Sequence, residues 1–352
     1  MENKQWSDNE VKLLGTKPDN ELAAQLGRSY TSVRVARMRR AIPAFKKVVV
    51  VPDKEEATPD IETAIPVVQT PVELPKPEFG HLPVEVINSG DWIRFGLVSD
   101  THLCCKEERL SELHAQYDLF ESEGITKVFH AGNPIDGFVQ RINGESVFEN
   151  TVDGQALYFA QNYPERRGIH TYFITGDDHE SWFLPGFNVG SYMELVGRRA
   201  GREDYTYIGH VEADVEIKVK GASRPTIMKI QHPGGGSAYA RSYTGQKQVE
   251  AFEGGEKPAI LVQGHYHVSN HMVDRNIHVI SMPGFQDQTI FARKKRLRME
   301  VGGAILEFKV NPDDGAVTRC RVEFKLYFNR GYYKRYIKSD ARLVKGRIVV
   351  DA

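Results

Sequence analysis

The chain has 352 residues, with 46 Lys+Arg against 47 Asp+Glu for a formal net charge of −1, and 40% of it is hydrophobic. That is the composition of a globular protein long enough for two or three domains, and no apolar run approaches the roughly 20 residues a membrane-spanning helix needs. Three cysteines, Cys104, Cys105 and Cys320, are too few for a disulfide framework, and a start without the basic and apolar stretches of a signal peptide leads us to expect a cytoplasmic protein.

Residues 1–47 read as a small all-α domain. Ser7 and Glu10 form a capping-box pattern ahead of Val11, Leu13 and Leu14, and Gly15 ends that helix. Asp19 is placed to cap a second helix carrying Leu22, Ala23 and Leu26, which Gly27 stops. Thr31 is placed to cap a third, running to about residue 41, with Val33, Ala36 and Met38 on its apolar face. Residues 28–47 hold seven basic side chains and no acidic one. Prolines at 52, 59, 66, 71, 75, 77 and 83 then recur among acidic residues and break any regular period. The stretch 48–86 is therefore expected to be an extended tether, with 48–51 open to forming a short strand.

From about residue 88 to the end, strands and helices alternate, so 87–352 reads as an α/β domain. Strands are expected at 93–99, 126–130, 170–175, 226–231, 259–263 and 277–281. Leu110, Leu113, Tyr117 and Phe120 give a helical stripe that stops at Gly124, and 155–162 reads as a second helix. Segments 304–310 and 316–327 flank an N-P-D-D-G turn as a β-hairpin.

Metal-binding residue types follow the ends of these strands. After the first comes S-D-T-H-L with Asp100 and His102, and after the second H-A-G-N-P-I-D-G with Asn133 and Asp136. The third leads to T-G-D-D-H-E with Asp177, Asp178, His179 and Glu180. Later strands end at His232 and at G-H-Y-H, with His265 and His267. Strand C-termini converge at one sheet edge, where α/β proteins place their sites. Mixed imidazole and carboxylate donors suit Mn, Fe, Zn or Ni better than Ca or Mg.

The order of motifs, covering about residues 93–285, resembles the calcineurin-like metallophosphoesterase superfamily, whose pattern is D-x-H, G-D-x-x-D, G-N-H-[DE], a His, then G-H-x-H. The resemblance implies a β-sandwich flanked by helices and two divalent metal ions, with Mn the first expectation. It assigns Asp100, His102 and His267 to one metal and Asp178, His232 and His265 to the other, with position 133 between them. It implies that the metals activate a water for in-line attack on phosphorus. His179 would serve the leaving oxygen, with Glu180 orienting its imidazole, and Asp136 would brace the loop rather than bind metal.

Two positions depart from that pattern. The family has Asp where this chain has Asn133, and Asn where it has Asp178. One carboxylate leaves and one arrives, so the total ligand charge is kept and the pair reads as an exchange that preserves a dinuclear site. Two alternatives stay open: a neutral bridge that leaves one metal weak or missing, or an inactivating change at position 133.

The string G-R-S-Y-T-S-V-R-V-A-R-M-R-R resembles the recognition helix of homeodomain-like or Myb-like helix-turn-helix modules. That resemblance implies DNA contacts from Arg28, Arg34, Arg37 and Arg40, against the alternative of a protein-binding module. Similar modules precede phage-encoded enzymes, so a phage or prophage origin is expected. Arg293, Lys294, Lys295, Arg296 and Arg298 follow the last motif, and residues 330–338 interleave basic and tyrosine side chains, a mixture that suits a nucleic-acid strand. The expected function is a two-metal phosphoesterase hydrolysing phosphodiester bonds in DNA. The alternatives are a phosphatase or cyclic-nucleotide phosphodiesterase on a small substrate, and a non-catalytic DNA-binding protein on a phosphoesterase scaffold.

Overall fold

The computed structural model describes residues 6–40, 42, 80–86, 92–139, 144–182, 186–236, 238–255, 257–328, 341–344 and 347–350. The expected strand at 48–51 and the basic, tyrosine-rich stretch 330–338 lie outside them. The chain divides into two compact units, Met1–Val72 and Glu73–Ala352.

In the first unit three short helices, α1 (Asp8–Lys12), α2 (Asp19–Leu26) and α3 (Tyr30–Arg39), close over Leu14, Leu22, Ala23, Val33 and Ala36. The capping box forms as expected: the Ser7 hydroxyl accepts from Glu10 N–H, and Glu10 accepts from Ser7 N–H at 2.9 Å. Gly27 ends α2 in the left-handed conformation with φ 61°. Two expected caps move. Pro18, not Asp19, precedes α2 and offers no side-chain bond. At α3 the Ser29 hydroxyl accepts from Ser32 N–H at 3.2 Å, so the helix starts before Thr31.

The second unit is a sandwich of two six-stranded sheets. One sheet holds β2 (Ile93–Val98), β3 (Lys127–Ala131), β4 (His170–Thr175) and β5 (Tyr205–His210) in parallel, with β11 (Gly302–Val310) antiparallel to β2 and β12 (Val317–Leu326) outside it. The other runs β1 (Gly80–Val86), β6 (Glu212–Val219), β7 (Thr226–Gln231), β8 (Ile260–Gln263), β10 (Ile277–Ser281) and β9 (Asn270–Asp274). Phe95, Leu97, Phe129 and Ile174 pack with Ile230, Val262, Ile280 and Phe308 in the main core. Each such buried side chain contributes about 1.5–3 kcal/mol. On the outer face of the first sheet, α4 (Leu110–Ser122), α5 (Val152–Asn162) and α6 (Val189–Arg199) bury Leu113, Tyr117, Phe120, Phe159 and Met193. On the second, α7 (Tyr243–Ala251) contributes Val249 to a cluster with Leu261, Ile277 and Val279. A last short helix, α8 (Ile290–Lys295), starts at Thr289, whose hydroxyl accepts from Ala292 N–H at 3.1 Å. Strands β13 (Ala341–Val344) and β14 (Arg347–Val350) pair with each other. Among the described residues, no helix is long and apolar enough to cross a membrane.

The expected tether does not extend to residue 86. Residues 80–86 form β1, an edge strand parallel to β6, with Val84 buried against the core. Pro83 sits there because an edge strand tolerates the lost N–H. Helix α6 also escaped the sequence reading, since Gly190 and Gly197 interrupt its pattern. Added Cβ atoms there would lie 2.1 Å from the Tyr207 ring and 1.8 Å from the Tyr205 hydroxyl, so the two tyrosines of β5 occupy the space.

Candidate metal centre

The ends of β2, β3, β4, β7 and β8 meet at one edge of the sandwich, and each is followed by residues of the expected set. Asp100 Oδ1 lies 3.3 Å from His267 Nε2 and 3.7 Å from His102 Nε2. Asp178 Oδ1 lies 3.5 Å from His232 Nε2, and its Oδ2 lies 3.0 Å from His265 Nδ1. Donors about 2.1 Å from a shared ion stand roughly 3.0–3.6 Å apart, so both triads come close to the spacing of a ligand shell. A gap of 3.9 Å between His232 Nε2 and Asp100 Oδ1 joins them. The structure thus brings together Asp100, His102, Asp178, His232, His265 and His267 in the two groups expected.

Asn133 falls where position 133 was placed. Its amide nitrogen donates to Asp178 Oδ1 at 3.1 Å, and its own Oδ1 is buried without a hydrogen-bond partner among the described residues. Asp100 Oδ1, His102 Nε2, Asn133 Oδ1 and His232 Nε2 are all buried without a hydrogen-bond partner among the described residues. An orphaned buried polar atom costs about 1–3 kcal/mol. Several electron-pair donors converging with no proton to accept fit divalent cations, and only the Asn133 amide is unusual in that set.

The backbone is strained at the same place. Asp100, His102, Asn133, His265 and His267 all have φ between 43° and 77°. Left-handed backbone disfavours any side chain, by about 1–2 kcal/mol each, and such strain gathers at functional sites. Gly132, with φ 94°, leaves room for His232: a Cβ there would lie 2.3 Å from its Nδ1.

Hydrogen bonds set which imidazole nitrogen carries the lone pair. His102 Nδ1–H donates to Asp136 Oδ1 at 2.8 Å, and His232 Nδ1–H donates to the Ala131 carbonyl at 2.7 Å, so each frees Nε2. His265 is reversed: Nε2–H donates to the Gly235 carbonyl at 2.7 Å and Nδ1 faces Asp178. Gly235 thereby joins the glycine loop at 234–236 to the site.

Asp136 does more than brace a loop. Besides His102, its backbone carbonyl accepts from His179 Nδ1–H at 2.9 Å, and its carboxylate lies 3.4 Å from the same nitrogen. Burial pushes the Asp136 carboxyl up, but the two imidazoles outweigh it and hold the carboxyl at about 2. Burial pulls the His179 imidazole down, and Asp136 outweighs that and raises it to about 10. Desolvation likewise lifts the Asp100 and Asp178 carboxyls, yet the neighbouring histidines keep both well below the usual carboxylate range.

The expectation for Glu180 is overturned. It accepts from Gly176 N–H at 2.6 Å and does not orient His179, whose position belongs to Asp136. Burial raises its carboxyl to about 7. The cue for Asp136 in the sequence was its place in the second motif, three residues beyond Asn133, but spacing alone does not show which imidazole a carboxylate reaches.

The expected DNA-contacting arginines separate as well. Arg28 is spent inside the first unit, pairing with Glu10 at 2.9 Å and lying 4.2 Å over the Trp6 ring. Arg37 donates to the Ile42 carbonyl and Arg40 to the Ala36 carbonyl. Arg34 and Arg40 are exposed.

A cavity of about 810 Å³ opens over the centre, lined by His102, Asn133, Asp178, His179, His265 and His267 among others. The second unit is a layered sandwich of two sheets with Asp and His at its strand ends. Solved structures with similar folds include an archaeal phosphodiesterase (13% identity, 66% of this chain and 100% of that chain, TM-score 0.35) and the phosphoesterase Yfce from E. coli (10%, 65% and 98%, TM-score 0.32). Vps29 from Entamoeba histolytica, solved with Zn²⁺, is 12% identical over 66% of this chain and 99% of its own, with TM-score 0.29. No family model and no curated protein matches the chain.

Proposed function

We propose that this chain is a metal-dependent phosphoesterase that hydrolyses phosphodiester bonds, with DNA as the substrate class. The observation that carries the reading is the convergence of buried, unpartnered donors from Asp100, His102, Asn133 and His232 beneath an open cavity. Asp100, His102 and His267 would hold one divalent ion and Asp178, His232 and His265 the other, with Asn133 Oδ1 between them. Bound there, two ions supply an activated water and neutralise phosphate charge. Their mixed nitrogen and oxygen donors suit Mn²⁺.

The chain's own residues supply the rest. His179 lines the cavity, and the Asp136 carboxylate 3.4 Å from its Nδ1 favours the charged imidazole. With Nδ1 bound to the Asp136 carbonyl, Nε2 is the nitrogen that would give its proton to the leaving oxygen. The first unit would bring the enzyme to DNA through Arg34 and Arg40, the exposed cations of α3 and its end.

The test compares bis-p-nitrophenyl phosphate with p-nitrophenyl phosphate in the presence of Mn²⁺, and follows labelled DNA and RNA, with His179→Ala as control. Diester preference together with DNA cleavage that His179→Ala lowers by about 10²–10⁴-fold supports the reading. Monoester preference would make the chain a phosphatase, and no turnover of either ester would leave a binding protein.

A further inference from the structure

Resting on the phosphodiesterase reading, we propose that the wall made by α8 and the residues just after it grips the substrate strand beside the bond that is cut, so that the substrate is single-stranded nucleic acid. The cavity over the metal centre is also lined by Arg241, Lys295, Arg296 and Arg298. Among the described residues, the carboxylates in its lining are Asp136 and Asp178, both beside the candidate metal centre. Away from that centre, the charged side chains among the described lining residues are these four cations.

The four cations are of two kinds. Glu300 pairs with Arg298 at 2.7 Å and with Arg241 at 3.5 Å, which positions them and cancels part of their charge. Lys295 and Arg296 are exposed and form no ion pair among the described residues. Arg296 also ends α8 in the left-handed conformation, φ 56°, a place where glycine is unstrained. A substrate with one phosphate, such as a cyclic nucleotide, would leave Lys295 and Arg296 without an anion. A strand carries a phosphate on every nucleotide and can meet them while another phosphate sits at the centre.

Rings stand beside these cations. Tyr239 is fully solvent-exposed, and Phe291 is 38% exposed on α8; both line the cavity. Aromatic faces beside a basic track are what unstacked bases use, whereas a duplex hides its bases. The metal-binding side chains are also recessed, with Asp100 fully buried and His102 2% exposed. A flexible strand can bend its phosphate into that recess, and a stiff duplex cannot without opening.

The experiment uses the full chain with Mn²⁺ and the variants Lys295→Ala/Arg296→Ala, Lys295→Arg and Tyr239→Ala/Phe291→Ala. Rates are read on bis-p-nitrophenyl phosphate, a single-stranded 20-mer and its duplex, and 20-mer binding is read by fluorescence anisotropy across a salt series. Wild type should favour the single strand over the duplex at least tenfold in kcat/KM. The double cation variant should lower the ratio of 20-mer to small-diester kcat/KM at least fivefold, chiefly through KM, and reduce the log–log salt slope of binding by about 1.4, or roughly 0.7 per phosphate contact. Lys295→Arg should retain the wild-type ratio, and loss of the two rings should weaken 20-mer binding without changing the slope. Equal cleavage of duplex and single strand, or a cation variant with the wild-type ratio and slope, would overturn the proposal. If wild type turns over neither small ester, the phosphoesterase reading fails by itself, and the salt slope still decides whether this wall holds a strand.

Discussion

Asn133 and Asp178 share one hydrogen bond, and that bond explains why their identities belong together. The amide donates to the carboxylate and keeps its own oxygen for the centre. A carboxylate at 133 would set two negative oxygens about as close as that bond, while an amide at 178 would leave the second triad two imidazoles and no charge. We therefore expect Asn133→Asp and Asp178→Asn each to lower diester hydrolysis, with Asp178→Asn losing metal first. The double variant should recover beyond either single one, with a coupling energy of about 0.5–3 kcal/mol in the four-way cycle. Additive effects would break the pairing, and a large gain from Asn133→Asp alone would mark position 133 as an inactivating change. Asp136 is the second residue of interest. Because it holds both His102 and His179, Asp136→Asn should weaken Mn²⁺ binding about 10–100-fold although Asp136 is no ligand of either triad. Chelator competition would measure this, and unaltered affinity would show that other contacts suffice to orient His102. Cys104 and Cys105 play no such part: both are fully buried, and burial pushes both thiols far above their ordinary range.

At the scale of elements, α1 is tied to the turn between α2 and α3 by Glu10 and Arg28 rather than by apolar contact alone. The Arg28 side-chain bond, with help from Ser7, lowers the Glu10 carboxyl from 4.5 to about 2. A carboxyl depressed on folding contributes stability above its unfolded value and loses it as pH falls through the folded one. Amide protection factors over residues 7–40, taken against the intrinsic exchange rate at each pH, should thus hold at pH 5 and fall progressively between about pH 4.5 and 2. Glu10→Gln should remove most of that dependence. An identical acid profile in the variant would assign the loss to other groups. The same pair explains why a basic count over 28–47 overstates the cations that face solvent.

Across the whole molecule, each unit carries its own core, the first around Leu22 and Val33 and the second between the two sheets. Removing residues 1–47 should leave small-diester hydrolysis intact, and loss of that activity would show that the units depend on each other. The place of the cut matters more. A chain beginning at residue 80 keeps β1 paired with β6, whereas one beginning at 87 strips it and uncovers the surface that Val84 buries. Losing one buried valine costs about 1.5–3 kcal/mol, so the shorter chain should melt about 5 °C lower in scanning calorimetry. Equal melting temperatures would mean that β1 adds nothing to the sandwich.

That the six Asp and His residues of the two triads and Asn133 follow strand ends was legible in the sequence because the strand signals are local. A segment such as 226–231, with Ile227, Met228 and Ile230, carries a strand signal of its own, and the residue that follows it lies at the sheet edge. The hairpin around N-P-D-D-G was legible for the same reason. What lay beyond reach depended on distant neighbours. β1 exists because β6, more than 120 residues later, offers an edge, and a proline-bearing segment gives no strand signal of its own. Helix α6 tolerates its glycines only because tyrosines of β5 fill their space. Glu180 follows His179 in the chain yet turns to Gly176, while Asp136, 43 residues earlier, reaches the imidazole. Arg28 likewise faces Trp6 and Glu10 instead of solvent. Residue type and spacing determined which atoms bear the chemistry; the packing of remote segments decided which of them touch, because hydrogen bonds act over about 3 Å and sequence separation carries no information about that distance.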